Sequence, residues 1–212
     1  VLRAMRHLNA QRGIRGLVEH LSNGLPVAID ALILQNQAFL ASTVGMRDRL
    51  RLDLGTPGAK ASINPAATLN CLLNLLINAR DAMPKGGEVT LTTRLVAATA
   101  VGEGGSDGAA HSSIAVTDTG VGMAPEVLDR ALEPFYSTKR NGNGLGLASV
   151  LEFVVNAGGN GRIAPTLGTG SSVFLACPAS TWRPLLCRGL RFTLWRPTRQ
   201  WVRSNHRPSW IR

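Results

Sequence analysis

Apolar residues recur at two different spacings along this chain, and the spacing predicts the elements. Residues 1–22 place Leu2, Met5, Leu8, Ile14, Leu17, Val18 and Leu21 at roughly helical intervals, and Asn23-Gly24-Leu25-Pro26 ends that segment. A second helix is predicted from Ile29 to Val44. Arg49-Leu50-Arg51-Leu52-Asp53-Leu54 alternates strictly, as a half-buried strand does, and stops at Gly55-Thr56-Pro57-Gly58. Asn64-Pro65 then supplies an N-cap and a first-turn proline for a helix that runs to Met83. Pro84-Lys85-Gly86-Gly87 turns the chain into a strand over Glu88–Leu95. Residues 97–112, rich in Ala, Gly and Ser, read as a flexible hairpin connection. A strand is predicted over Ser113–Asp118, and a long polar, glycine-containing segment follows to Asn143. The helix Leu145–Asn156 and strands near Arg162–Pro165 and Ser172–Cys177 complete the pattern.

Helices mixed with hairpin-connected strands argue for an α+β fold, with helices layered on one face of a sheet. At 212 residues the chain holds one ordinary domain with appendages, and no internal repeat is present. Cys71, Cys177 and Cys187 lack metal-ligand spacing. Cys71 lies in an apolar run and Cys177 ends one, so buried free thiols in a reducing compartment are expected. No apolar run is long enough to span a bilayer and no signal peptide opens the chain, so a cytoplasmic location is expected.

The formal charge of +10 is unevenly spread: residues 179–212 hold eight arginines and no acidic residue, leaving +2 for the rest. All four tryptophans, Trp182, Trp195, Trp201 and Trp210, also lie there. Basic residues interleaved with aromatics can bind nucleic acid or an anionic membrane through phosphates and stacking. No hydrophobic period accompanies these charges, however. The Arg/Trp/Pro mixture therefore reads as a disordered or non-native tail, such as frame-shifted GC-rich sequence or a C-terminal fusion. Nothing outside this tail suggests nucleic acid as a partner.

Chemistry concentrates in three stretches. Asn70, Asn74 and Asn78 recur every four residues on an otherwise apolar helix, where asparagine is a poor interior residue and costly to bury alone. An amide oxygen on that stripe suits Mg²⁺, which usually keeps phosphates, waters and one or two protein oxygens. Asp118 ends a strand before Gly120 and Gly122. A carboxylate only accepts hydrogen bonds, so it can select the amine of adenine over the carbonyl of guanine. Gly142-Asn143-Gly144-Leu145-Gly146 opens a helix whose first amides suit phosphate. The spacing is not a dinucleotide fingerprint, since no strand leads into it. Lys139 and Arg140 just before it can neutralise phosphate, or form a solvated surface pair.

Asn74-Leu75-Leu76-Ile77-Asn78-Ala79-Arg80-Asp81-Ala82-Met83, Asp118-Thr119-Gly120-Val121-Gly122-Met123 and Gly142-Asn143-Gly144-Leu145-Gly146-Leu147 resemble, in order, the N, G1 and G2 boxes of the GHKL ATPase superfamily. Glu133-Pro134-Phe135-Tyr136-Ser137-Thr138-Lys139 is similar to the F box of sensor histidine kinases, and Gly168-Thr169-Gly170-Ser171-Ser172 to the closing glycine turn. The likeness spans residues 25–178. It implies a two-layer α/β sandwich of the Bergerat type: a mixed sheet backed by helices, with a lid over ATP·Mg²⁺. Residues 1–24 would then be the end of a dimerisation helix with its linker.

The resemblance also implies roles. Asn78 falls at the metal ligand, and Asn74 at the catalytic position where gyrase-type members carry a water-activating glutamate. An amide cannot act as a general base at neutral pH, so transfer is expected over hydrolysis. Nucleotide contacts are implied for Asp81, Asp118, Gly120, Gly122, Met123, Phe135, Thr138, Lys139, Gly142, Gly144, Leu145, Gly146, Leu147 and Ser171. Phe135 is expected to pack under the lid as a hinge, an ordinary core Phe being the other reading. Asn143 stands where the family usually has Thr, and the lid is a couple of residues short.

The implied partners are a histidine-bearing dimerisation domain, a response-regulator receiver domain and a second copy in the full-length protein. Neither His7 nor His20 has the acceptor setting of a kinase histidine, and no aspartate-rich receiver pattern follows the domain. The expected function is donation of the ATP γ-phosphoryl group to a histidine outside this chain. The competing readings are a gyrase-like ATPase, an anti-sigma-type serine kinase and a degenerate nucleotide-binding fragment.

Overall fold

A computed structural model describes residues 26–97, 110–139, 142–166, 168–178, 192–195 and 201–204. The helix expected over residues 1–22 lies outside them. The chain begins with β1 (Pro26–Ala28), α1 (Ile29–Gln35) and α2 (Gln37–Val44). One helix was expected here, and Asn36 breaks it: its Nδ2 donates to the Leu32 carbonyl at 2.8 Å and its backbone leaves the helical region. Strands β2 (Arg49–Gly55) and β3 (Lys60–Ser62) and the long helix α3 (Pro65–Ala82) follow. Next come β4 (Glu88–Ala97), β5 (Ala110–Asp118), α4 (Pro125–Arg130) and α5 (Gly146–Asn156). Strands β6 (Asn160–Thr166), β7 (Gly170–Pro178), β8 (Phe192–Trp195) and β9 (Trp201–Ser204) close the order. Helix α4 was not anticipated, being six residues with one buried anchor, Leu128.

Among the described residues the main sheet has seven strands in the order β2-β4-β5-β7-β6-β8-β9. The β2–β4 and β6–β8 pairs are parallel and the others antiparallel, so the sheet is mixed as expected. β1 and β3 form a small antiparallel pair of their own. No element was expected in the tail. Two of its segments, β8 and β9, extend the sheet beyond β6, and the rest of 179–212 lies outside the described residues. Edge strand β2 exposes Arg49, Arg51 and Asp53 between half-buried leucines, and such charges oppose pairing with another chain.

Helix α3 is the centre of the helical layer, packing on α2, on α5 and on strands β4, β5 and β7. Leu72 and Leu76 on its sheet side are wholly buried against Leu91, Ile114 and Leu175. Burying each such side chain contributes about 1.5–3 kcal/mol. Cys71 and Cys177 are buried free thiols; desolvation pushes Cys177 up to about 12 and Cys71 upward as well. At the far end the buried Asp30 carboxylate accepts from Thr56 N at 2.9 Å and Thr93 Oγ1 at 2.7 Å, tying α1 to β2 and β4.

The first turn of α3 fixes its start. Asn64 Oδ1 accepts from Ala67 N at 3.0 Å, and Pro65 occupies the first turn. Asn64→Ala should destabilise the fold by about 1 kcal/mol, lowering Tm by about 2–4 °C in a chain of this size. Thermal unfolding by circular dichroism checks it; an unchanged Tm would remove the cap from the account of how α3 is anchored.

Candidate functional site

Helix α3 turns Leu75, Asn78, Ala79 and Ala82 toward a small cavity of about 50 Å³ that is partly open to solvent. Val116 and Asp118 of β5, Ser171 and Val173 of β7, Gly122 and Met123 of the following loop and Leu147 of α5 form its other walls. Strands β5 and β7 set Val116 opposite Val173 and Asp118 opposite Ser171. The cavity thus has an apolar floor and one carboxylate at its end. Of the residues predicted from sequence, Asn78, Asp118, Gly122, Met123, Leu147 and Ser171 line it. Leu75, Ala79, Ala82, Val116 and Val173 were missed. Periodicity could have found them: Val116 lies two residues before Asp118 and Val173 two after Ser171, on the same strand faces.

Asp118 is buried, and its Oδ1 accepts from Gly120 N at 2.8 Å and from Ser171 N at 3.2 Å. Both bonds use one oxygen, which leaves Oδ2 available to a ligand. Burial pushes this carboxyl above the usual carboxylate range, and the two amides pull it back only in part. The arrangement offers an acceptor fixed in place by backbone from two separate segments.

The second cluster is polar. Lys139 Nζ donates to Asn78 Oδ1 at 2.9 Å and to Asp81 Oδ2 at 2.7 Å. Asp81 Oδ1 takes Arg80 Nη2 at 3.0 Å. Partial burial works to raise the Asp81 carboxyl, but the hydrogen bonds and charges of Lys139 and Arg80 outweigh it and hold the group below its ordinary value. Asn74 and Asn78 both face the start of α5: a methyl at Gly146 would stand 4.0 Å from Asn74 Oδ1 and 3.5 Å from Asn78 Nδ2. Asn70, on the same stripe, is exposed. No group of three or more His, Cys, Asp or Glu suited to a metal occurs among the described residues. The donor set therefore fits Mg²⁺ in one way, with one or two protein oxygens and the remainder from phosphates and water. The Lys139 ammonium already sits as a cation on that pair.

Between the clusters, Asn143 Oδ1 accepts from Leu145 N at 3.1 Å, so this asparagine caps the turn into α5. Gly144 has φ +66°, and a methyl there would reach 2.3 Å from the Phe135 carbonyl carbon, so the crossing of these two segments requires glycine. Phe135 corrects an expectation. The residue is 78% exposed rather than packed beneath the lid. Its N–H donates to Gly144 O at 2.9 Å with φ 68°, a backbone setting that leaves the ring in solvent. Thr138, Gly142 and Leu145 lie on the exposed stretch around it. Arg140 lies outside the described residues.

A family model described as histidine kinase-, DNA gyrase B- and HSP90-like ATPase matches residues 64–181, and the chain belongs to that family. Its relatives by sequence include sensor histidine kinases, and it is an ATP-binding catalytic domain of their kind. It is 33% identical over 144 residues to sensor kinase CckA of Brucella abortus strain 2308, covering 66% of this chain and 15% of that one. It is 30% identical over 158 residues to sensor histidine kinase ZraS of Escherichia coli strain K12, covering 74% and 31%. The structure of full-length ShkA in complex with AMPPNP superposes with a TM-score of 0.60 at 26% identity, over 73% of this chain and 31% of that one. The chain thus spans less than a third of these relatives. No helix among the described residues is long and apolar enough to cross a membrane.

Proposed function

We propose that this domain binds ATP with Mg²⁺ and donates the γ-phosphoryl group to a histidine on a separate dimerisation domain, for onward transfer to a receiver domain. The observation that carries the reading is Asp118, a buried carboxylate whose Oδ1 is tied by Gly120 and Ser171 at the end of an apolar slot. Adenine fits between Leu75, Ala79 and Met123, with its amine donating to Asp118 Oδ2. The triphosphate then runs toward the first turn of α5 and the asparagines of α3. Asn78 and Asp81 would hold the cation, which would supply positive charge to offset that of the phosphates. Lys139 supplies further positive charge. Catalysis here is positioning: the domain holds the γ-phosphorus in line with an incoming imidazole nitrogen while the bond to the bridging oxygen breaks. Asn74 offers no proton acceptor near that phosphorus, which disfavours attack by water. Residues 25–178 form the catalytic unit in this reading.

The test supplies the dimerisation segment of a relative such as CckA in trans, with γ-labelled ATP and Mg²⁺. An acid-labile label on that segment's histidine, and none on this chain alone, is expected. An acid-stable label on serine would favour the serine-kinase reading. Free phosphate released without protein labelling would favour an ATPase.

A further inference from the structure

Lys139 is separated by about sixty residues from the two α3 side chains it touches, and it reaches them from a segment whose other bonds are local. Lys139 N donates to Ser137 Oγ at 3.1 Å, Gly142 N to Lys139 O at 3.2 Å and Phe135 N to Gly144 O at 2.9 Å. The oxygens receiving the ammonium are prepared for a cation. Arg80 holds Asp81 Oδ1 through Nε at 3.2 Å and Nη2 at 3.0 Å, while its Nη1 is anchored on Thr43 O at 3.2 Å. Asp81 Oδ2 is thereby presented beside Asn78 Oδ1, one turn earlier on the same face of α3. A divalent ion binds such oxygens at about 2.0–2.1 Å, so on the same pair of oxygens it would lie close to the ammonium and repel it.

We propose that Lys139 is a displaceable internal cation. With no divalent cation bound, its ammonium occupies the seat formed by Asn78 Oδ1 and Asp81 Oδ2 and fastens the Ser137–Lys139 stretch to α3. A divalent cation takes the same seat and frees both the lysine, which then turns to the phosphates, and the segment that carries it. Cation binding and lid release become one exchange, so the lid opens to nucleotide only where the metal is present. The inference rests on the reading of Asn78 as a cation ligand.

The test uses the whole chain without nucleotide and Mn²⁺ alone as the probe. Electron paramagnetic resonance measures bound Mn²⁺, and amide hydrogen exchange follows residues 137–145. Adding Mn²⁺ to the unmodified protein should speed exchange in that segment. Lys139→Met should bind Mn²⁺ at least threefold more tightly and show fast exchange before any metal is added. Lys85→Met removes the same charge from the exposed turn after α3 and should leave both readings within twofold. Asp81→Asn added to Lys139→Met should abolish the gain in affinity. Equal effects of the two lysine variants, or exchange that ignores Mn²⁺, would overturn the latch. Binding of a fluorescent ATP analogue at saturating Mg²⁺ is measured in parallel. Loss of that binding in the unmodified protein would count against the nucleotide reading itself, whereas normal binding with unmoved Mn²⁺ and exchange readings would sink the latch alone.

Discussion

Asp118→Asn is expected to weaken ATP binding about 10- to 100-fold, the equivalent of about 1–3 kcal/mol for a lost buried hydrogen bond to a charged group. The side-chain oxygen of asparagine can still accept from Gly120 N and Ser171 N, so the fold should survive. Its amino group then faces the cavity where Oδ2 stood, setting a donor against the adenine amine. The same change offers a donor to the carbonyl of guanine. Unmodified protein should therefore favour ATP over GTP by at least about 100-fold, as sites built around a specific hydrogen bond do, and the variant should lose most of that ratio. Competition of ATP and GTP against a fluorescent nucleotide measures both. Equal affinities in the unmodified protein would remove Asp118 from adenine recognition.

The same carboxylate carries a pH dependence. Its pKa in the folded protein lies above the unfolded value, chiefly through burial. Stability contributed by its protonated form is complete below the unfolded value and is lost as pH rises through the folded one. At neutral pH the ionised group thus lowers stability, a cost that the proposed adenine contact would account for. Acidification should correspondingly weaken ATP binding at a higher pH than an ordinary aspartate would.

The second large effect is expected at Gly170. Its φ is +109°, and a methyl there would lie 1.9 Å from Asp118 O and 2.8 Å from Asp118 C. Backbone strain of about 1–3 kcal/mol adds to overpacking of similar size, about 1–3 kcal/mol. Gly170→Ala should therefore cost about 2–6 kcal/mol. It should also push Ser171 off Asp118 and remove nucleotide binding. Gly168→Ala is the control: φ is +82°, yet nothing lies within 4 Å of the added methyl. Urea unfolding of the two variants separates strain from close approach, and a Gly170→Ala protein as stable as Gly168→Ala would defeat the argument.

Much of this was legible because site and fold use the same periodicities. The four-residue recurrence of Asn70, Asn74 and Asn78 gave the polar face of α3, and the strand ending at Asp118 put a carboxylate at a sheet end. What escaped has physical causes. Asn36 interrupts the first helical segment through a side-chain bond that competes with the backbone, and hydropathy carries no trace of it. Phe135 is apolar, but its backbone is left-handed and bonded to Gly144, nine residues on, a pairing that hydropathy does not register. Strands β8 and β9 are four residues each, too short for alternation to emerge from a stretch dense in arginine. The Lys139 bridge joins residues 58 and 61 apart, a distance no local pattern spans.

The bond from Ser171 N to Asp118 Oδ1 joins residues 53 apart, with the lid and α5 between them. Pairing across such a separation carries a loop-closure cost and comes slowly in folding. The Asp118 end of the cavity therefore has no counterpart in the unfolded chain and exists only once β5 and β7 have met. Whatever nucleotide binds there acts wholly as a folding ligand: at a hundred times its Kd it adds about 2.7 kcal/mol to the native state. In the reading proposed above, removing nucleotide should therefore lower the thermal stability of the domain by an amount set by its affinity and concentration.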